Sequence, residues 1–165
     1  MPLTGFDIDL CAAASTPAGA GKLEYITVDA LDLAEWEQAV LLAEWNQQKE
    51  IAASGWLIMP YVHGTGEWTE EQEQDEQGNY YRLSANCLLP ADTPAVRGEL
   101  SRMRQHRYLL RLTRSGQTYL LGTPEQPLRF ESRFQSGADG GDQRGHRCTW
   151  RGVALQKSPG YVPVF

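Results

Sequence analysis

The chain has 165 residues, enough to enclose one sizeable core and to bury roughly 70% of the surface that the unfolded chain exposes. Apolar residues make up 41% of it and aromatic residues 10%, which excludes a disordered or low-complexity protein. This composition predicts one domain over residues 1–165, with an extended C-terminal tail over 157–165. The net charge of −6 is uneven, because residues 1–92 hold 3 Lys and Arg against 16 Asp and Glu (−13) while residues 93–165 hold 12 against 5 (+7).

The first part of the chain contains two strand-like segments and one helix-like segment. Residues 6–12 alternate apolar and polar side chains, and residues 22–28 are rich in β-prone side chains, so each predicts a strand. Asp29 then either ends the second strand or caps a helix. From about residue 32 to residue 54 apolar side chains recur every three or four positions, which predicts a helix with its tryptophans, including Trp36, in the core.

The chain from residue 66 to residue 155 has a strand pattern almost throughout. Residues 56–62 precede it as a buried, apolar run that predicts an edge strand. Residues 67–74 and 80–89 flank a glycine-containing turn at 77–79, which predicts an antiparallel hairpin with an acidic first strand.

A short helix interrupts this pattern at about residues 93–106. Asp92 or Thr93 can cap it, and Pro94 suits its first position, where no backbone N–H is needed. The side chains expected on its buried face are Val96, Leu100 and Met103.

Three more segments complete the strand pattern. Residues 108–123 predict a hairpin around the two-residue turn Ser115-Gly116. Residues 128–136 and 143–156 predict two further strands, joined by a loop rich in glycine and aspartate. The order as a whole predicts a mainly β (α+β), antiparallel domain with two helices.

No pattern indicates an active site, a cofactor or a metal. Residues 19–22 (GAGK) suggest a phosphate loop, but Thr16 and Leu23 stand where that motif needs Gly and Ser or Thr. The three histidines are scattered, and no GxSxG nucleophile motif is present. Buried, reduced thiols are expected at Cys11, Cys87 and Cys148, which are odd in number and widely spaced.

The uneven charge has two interpretations. If the two signs are separated in space, they favour head-to-tail self-association, whereas interleaved signs give an ordinary solvated surface. The arginines between residues 97 and 114 lack interleaved aromatics, and the whole chain is acidic, so specific nucleic-acid binding is not expected. A membrane span or a secretory signal is not expected either, which predicts a cytoplasmic protein.

Four segments stand in a fixed order over roughly residues 64–156: GEWTEEQEQDEQGNYYRLSANCLLP, TPAVRGELSRMRQHRYLLRL, SGQTYLLGTPEQPLRFESRFQSG and GDQRGHRCTWRG. This order resembles the tail proteins of tailed phages and prophages, in particular tail-tube-like subunits. The resemblance implies an antiparallel β-sandwich or partly closed barrel with a flanking helix, assembled as stacked rings, and it carries no catalytic residues. The helical segment at 32–54 has no counterpart in that pattern.

The function predicted from the resemblance and the charges is that of a non-enzymatic structural protein of a phage or prophage tail. Such a protein assembles with copies of itself and with other phage tail proteins into rings or a tube, moving from the cytoplasm into a virion or a prophage-derived particle. The residues expected at the self-assembly interface are Tyr161, Val162, Val164, Phe165, Arg102, Arg104, Glu70, Glu71 and Glu73.

Two alternative functions remain open. A tail-completion or connector protein could share the same motif order. A β-sandwich module that binds carbohydrate or another ligand is the alternative from a different class, since aromatic rings can stack on sugars. Its candidate stacking residues are Trp56, Trp68, Tyr80 and Tyr81.

Overall fold

A computed structural model describes residues 3, 5–6, 22–34, 36, 55–62, 64–114, 117–136, 144–158 and 160–161. In these ranges the fold is mainly antiparallel β with a flanking α-helix, which confirms the predicted fold class. The elements are β1 (Lys22–Thr27), β2 (Leu57–Ile58), β3 (Glu67–Asp75), β4 (Gly78–Leu89), α1 (Pro94–Met103), β5 (Arg107–Arg114), β6 (Gln117–Leu121), β7 (Leu128–Gln135), β8 (Gly145–Ala154) and β9 (Gly160–Tyr161).

The described strands belong to one sheet that bends back on itself. Its order is β2-β1-β5-β7-β8-β4-β3, and β6 pairs with the far half of β5 while β9 pairs with β6. The two ends of this order, β2 and β3, are joined by a short segment that bonds to strands at both ends. The Met59 N–H donates to the Leu23 carbonyl at 2.9 Å, and the Val62 N–H donates to the Leu88 carbonyl at 2.8 Å. The segment therefore draws the sheet toward a sandwich or partly closed barrel.

One face of the bent sheet encloses the main core. Inward side chains of β1, β4, β5, β7 and β8 form one buried cluster with the apolar face of α1. Four aromatic rings run through it, with centroids 5.9 Å apart from Tyr25 to Tyr108, 6.1 Å from Tyr108 to Phe130 and 5.0 Å from Phe130 to Trp150. Such edge-to-face and tilted contacts add to the free energy of burial.

A second, smaller cluster covers the opposite face of β1, β5 and β6. It contains Ile26, Leu109, Leu120 and Trp36. Residues 33, 34 and 36 are helical, so the described start of the predicted helix agrees with the pattern, and its remaining residues lie outside the described ranges.

The two predicted roles of Asp29 have different outcomes. β1 does end just before it, but it does not cap the helix, because it lies within a short 3₁₀ helix, Val28–Ala30. The Asp32 carboxylate instead accepts from the Ala34 N–H at 2.9 Å, which is the geometry of an N-terminal cap.

Several predicted boundaries shift for identifiable reasons. The first hairpin turns at residues 76–77 rather than 77–79, because Asp75 pairs with Gly78 and its carboxylate accepts from the Gln77 N–H at 2.8 Å. Residues 56–62 form only the two-residue β2, since the chain then leaves β1 for β4. β8 begins at Gly145, where a Cβ would lie 2.2 Å from the Leu89 carbonyl oxygen and only glycine fits.

Other predicted elements are confirmed or lie beyond the described ranges. The β5–β6 hairpin and strand β7 are present where the sequence predicts them, although the Ser115-Gly116 turn itself is not described. Of the predicted strand at 6–12, only residue 6 is described, and it does not lie in a strand. The rest of that segment and the loop at 137–143 lie outside the described residues.

Helix α1 begins and packs as predicted. Pro94 occupies its first turn, and the Thr93 hydroxyl accepts from the Val96 N–H at 3.3 Å. Its buried side chains are the predicted Val96, Leu100 and Met103, together with Glu99. At its far end the Tyr108 hydroxyl donates to the Met103 carbonyl at 2.8 Å, which joins α1 to β5 inside the core.

Removing the cap of α1 is expected to have a moderate effect. Thr93→Ala deletes the hydroxyl that accepts from the Val96 N–H, so the free energy of unfolding should fall by about 1 kcal/mol in urea denaturation. Thr93→Ser keeps a capping hydroxyl and is the matched control. Equal losses in both variants would show that the hydroxyl has no capping role.

Candidate functional site

Five arginines line up on the outer face of β5, β7 and β8. Directly opposed residues of antiparallel strands share a face, and Arg107 lies opposite Arg129, which in turn lies opposite Arg151. Arg133 follows Arg129 by four residues on β7, and it lies opposite Arg147, which precedes Arg151 by four residues on β8. We call these five residues the arginine rows.

The arginine rows are exposed and poorly compensated. Like charges placed directly opposite each other destabilise a sheet. Between the rows, Glu131 lies 3.8 Å from Arg151, but their side chains are 69% and 67% exposed, so the pair contributes little. Arg129, Arg133 and Arg147 form no ion pair with any described residue. Fold stability therefore does not explain this concentration of positive charge, which is suited to an anionic partner.

The opposite charge lies on β3, at the edge of the same sheet. Its register places Trp68 against Ala85 and Glu70 against Leu83, so these side chains are on the inner face. The residues that alternate with Trp68 and Glu70 along β3 are therefore on the outer face of the sheet. We call their carboxylates, Glu67, Glu71, Glu73 and Asp75, the acidic strand.

The acidic strand is only partly neutralised. The Tyr80 hydroxyl and the Arg82 guanidinium both donate to Glu73, the latter at 2.8 Å, and these hydrogen bonds lower the pKa of Glu73 below its usual value. Glu67 and Glu71 have no hydrogen-bond or ion-pair partner among the described residues. An open groove of about 220 Å³ has Glu67 and Arg147 among its lining residues, so it lies between the acidic strand and the arginine rows.

Arg102 and Arg104, predicted at an interface, make contacts within the fold. The Arg102 guanidinium donates to the buried Glu99 carboxylate. Arg104 donates to both the carbonyl and the hydroxyl of Ser132 at 2.9 Å, which fastens the end of α1 to β7. The prediction missed the arginine rows, which place five exposed guanidinium groups on one face of the sheet. The spacing of four between Arg129 and Arg133, repeated between Arg147 and Arg151, was the available signal.

The remaining predicted interface residues divide into described and undescribed ones. Glu71 is exposed, whereas Glu70 accepts from the Ser158 N–H at 2.7 Å and so holds the C-terminal segment against β3. The backbone of Tyr161 pairs with Thr118 in the β6–β9 ladder. Three predicted residues lie outside the described ranges: Val162, Val164 and Phe165.

The four candidate sugar-stacking rings lie in different surroundings. Trp56 packs against the smaller cluster, with the Arg111 guanidinium 4.7 Å from its ring. Trp68 and Tyr81 pack against the main core. Tyr80 bonds to Glu73 on the outer face. The structure therefore does not gather these rings into one platform.

Two further groups of polar or reactive side chains serve the fold. Asp92 accepts two hydrogen bonds from Arg97, both at 2.7 Å, and one contact of 2.9 Å joins it to the buried His146. These hydrogen bonds, first from Arg97 and then from His146, hold the pKa of Asp92 well below its usual range and tie the start of α1 to β8. Cys87 and Cys148 lie opposite each other as buried free thiols, as predicted.

The described ranges were also compared with the requirements of a metal site and of a membrane-spanning helix. Within them, no three His, Cys, Asp or Glu side chains converge as a metal site, and no helix is long and apolar enough to span a membrane. No protein-family model, curated protein or solved structure matches this chain.

Proposed function

We propose that the protein is a non-enzymatic structural subunit of a phage or prophage tail that self-assembles into rings or a tube. The observation that carries the assembly part is the separation of exposed charge between the arginine rows and the acidic strand. The tail part is supported by the order of motifs over residues 64–156, which resembles that of tail proteins.

The charge distribution suits assembly through unlike surfaces. A contact between one surface of a copy and a different surface of the next is heterologous, and it generates rings when the rotation closes and filaments when it does not. Complementary charges steer such contacts and disfavour the wrong orientation. In this proposal the subunit is made in the cytoplasm, and other tail proteins join it in the virion or the prophage-derived particle.

The overall acidity also suits a tube. The chain carries a net charge of −6, and a surface of like sign repels the phosphates of a duplex. DNA can therefore pass such a surface without adhering to it. A tail-completion or connector role uses the same kind of ring contact and belongs to the same proposal.

Self-association of the purified protein is the direct test. We expect light scattering coupled to size exclusion to give masses that rise with concentration well above the 18.5 kDa of one chain, and negative-stain electron microscopy to show rings or stacks. A protein that stays monomeric at every concentration and forms no ring contradicts the proposal. Specific retention of a glycan by that monomer would favour the carbohydrate-binding alternative.

A further inference from the structure

We infer that the arginine rows are the docking surface for the acidic strand of a second copy of this chain. This inference rests on the proposed function, because it names the contact through which copies assemble. The partner is the chain itself, since the same molecule presents both an exposed basic surface and an exposed acidic edge.

The spacing of the charges on the two surfaces matches. A strand rises about 3.3 Å per residue, so two outward residues four positions apart are about 13 Å from each other. Glu67 and Glu71 have this separation on β3, and Arg147 and Arg151 have it on β8. The second strand of the docking surface repeats the spacing at Arg129 and Arg133.

The spacing across the strands also favours the contact. Neighbouring strands lie about 4.8 Å apart, so an extended strand placed over β7 and β8 brings each carboxylate within reach of one arginine from each strand. Guanidinium groups bind carboxylates through two parallel hydrogen bonds, and arginine is enriched at interfaces. A neighbouring acidic strand thereby relieves the repulsion between Arg129 and Arg151 and between Arg133 and Arg147.

The acidic strand can be reached by a neighbour. Within the described residues β3 pairs only with β4, so its other edge has no strand partner there. Glu71 is exposed and Glu67 borders the open groove. Acidic side chains on an edge strand oppose indiscriminate edge pairing, which leaves charge-matched docking as the favoured contact.

A second copy fits the basic surface better than a nucleic acid does. Arg147 borders the same groove as Glu67, so a polyanion lying along β8 approaches the carboxylates of β3, two strands away. The rest of the chain is also acidic, with a net charge of −6. A protein strand with carboxylates at the matching interval meets the arginines without extending over that acidic edge.

Reciprocal charge reversal tests the contact. One variant carries Arg147→Glu and Arg151→Glu, and the other carries Glu67→Arg and Glu71→Arg. Each alone should associate with itself at least about 100-fold more weakly than the unaltered chain, because two attractive contacts become repulsive. A 1:1 mixture should recover association, since the surviving arginine rows of one variant meet the surviving acidic strand of the other.

Matched controls separate this contact from general charge effects. Glu125→Arg reverses an exposed charge outside both surfaces, and its association should equal that of the unaltered chain. Thermal melting of every variant checks that the fold is intact. Rising salt should weaken association of the unaltered chain, because the contact is exposed.

The outcomes distinguish the inference from the proposed function. If the unaltered chain assembles but folded charge-reversal variants assemble equally well, or the mixture does not recover, the docking inference is wrong and the structural role stands. If the unaltered chain is monomeric, the proposed function fails as well. Binding of duplex DNA at 0.15 M salt by a monomer, lost in Arg147→Glu/Arg151→Glu, would identify the arginine rows as a phosphate-binding surface and overturn the inference.

Discussion

Trp150→Ala is expected to lower the free energy of unfolding by about 3–5 kcal/mol, the range for deleting a large, fully buried aromatic side chain. Trp150 is 0% exposed and lies on β8, the strand that pairs with both β4 and β7. Its ring centroid is 5.0 Å from that of Phe130, and it is the last of the four aromatic rings that run through the main core. The substitution removes this ring and leaves a cavity in the main core. Urea denaturation followed by far-UV circular dichroism measures the loss.

Two further substitutions show whether packing is the cause. Val153→Ala lies on the same strand but on the outer face, where the side chain is 49% exposed, and should change stability by no more than about 0.5 kcal/mol. Trp150→Phe keeps an aromatic ring and removes an indole N–H that has no hydrogen-bond partner among the described residues, so it should be milder than Trp150→Ala. A loss below about 1 kcal/mol in Trp150→Ala would contradict the assignment of this face to the core.

The local elements could be predicted because each depends on neighbouring residues. The alternation on β4 distinguishes inward Leu83, Ala85 and Cys87 from outward side chains without any knowledge of the partner strand. The start of α1 follows from Thr93 and Pro94 for the same reason. Strand order could not be predicted, since β1 pairs with β5 across more than eighty residues of sequence and nothing local specifies that partner.

The candidate site was only half predictable. Composition alone shows that acidic residues precede basic ones, and the residues of β3 predict an acidic strand. The arginine rows exist only once the β5–β7 and β7–β8 registers bring Arg107, Arg129 and Arg151 side by side. The sequence points to Arg102 and Arg104 instead, because it shows where charges lie along the chain but not which groups they contact. In the fold both arginines bond to neighbouring side chains or backbone.

Arg111→Met is expected to lower the free energy of unfolding by about 3–5 kcal/mol, because it leaves a buried carboxylate without its main partner. Arg111 donates to both oxygens of Glu24, at 2.7 and 2.9 Å, and the two side chains are 15% and 7% exposed. The substitution also removes the guanidinium from the ring of Trp56. Lys22, 2.8 Å from Glu24 and half exposed, is then the remaining cation beside the carboxylate.

The free energy of unfolding lost in Arg111→Met should depend on pH, because the Glu24 carboxyl titrates. Burial raises the pKa of this carboxyl, but hydrogen bonds and charge interactions with Arg111 and Lys22 outweigh it and leave the pKa below the usual 4.5. A lowered pKa gives stability that is present above the unfolded pKa and is lost as the pH falls through the folded value. Without Arg111 only Lys22 remains to oppose the effect of burial, so the pKa of Glu24 should be higher in the variant than in the unaltered chain. The difference between Arg111→Met and the unaltered chain should therefore be largest near pH 7 and shrink toward pH 3.

The double variant Glu24→Met/Arg111→Met isolates the uncompensated charge. Replacing both members of a buried ion pair with apolar side chains is often nearly neutral, so the double variant should be more stable than Arg111→Met alone. Its stability should also lose the pH dependence that Glu24 contributes. Additive losses in a double-mutant cycle, with no change in the pH profile, would contradict this account, because residues in contact are expected to couple. Such additivity would mean that Arg111 acts through its packing on Trp56 rather than through Glu24.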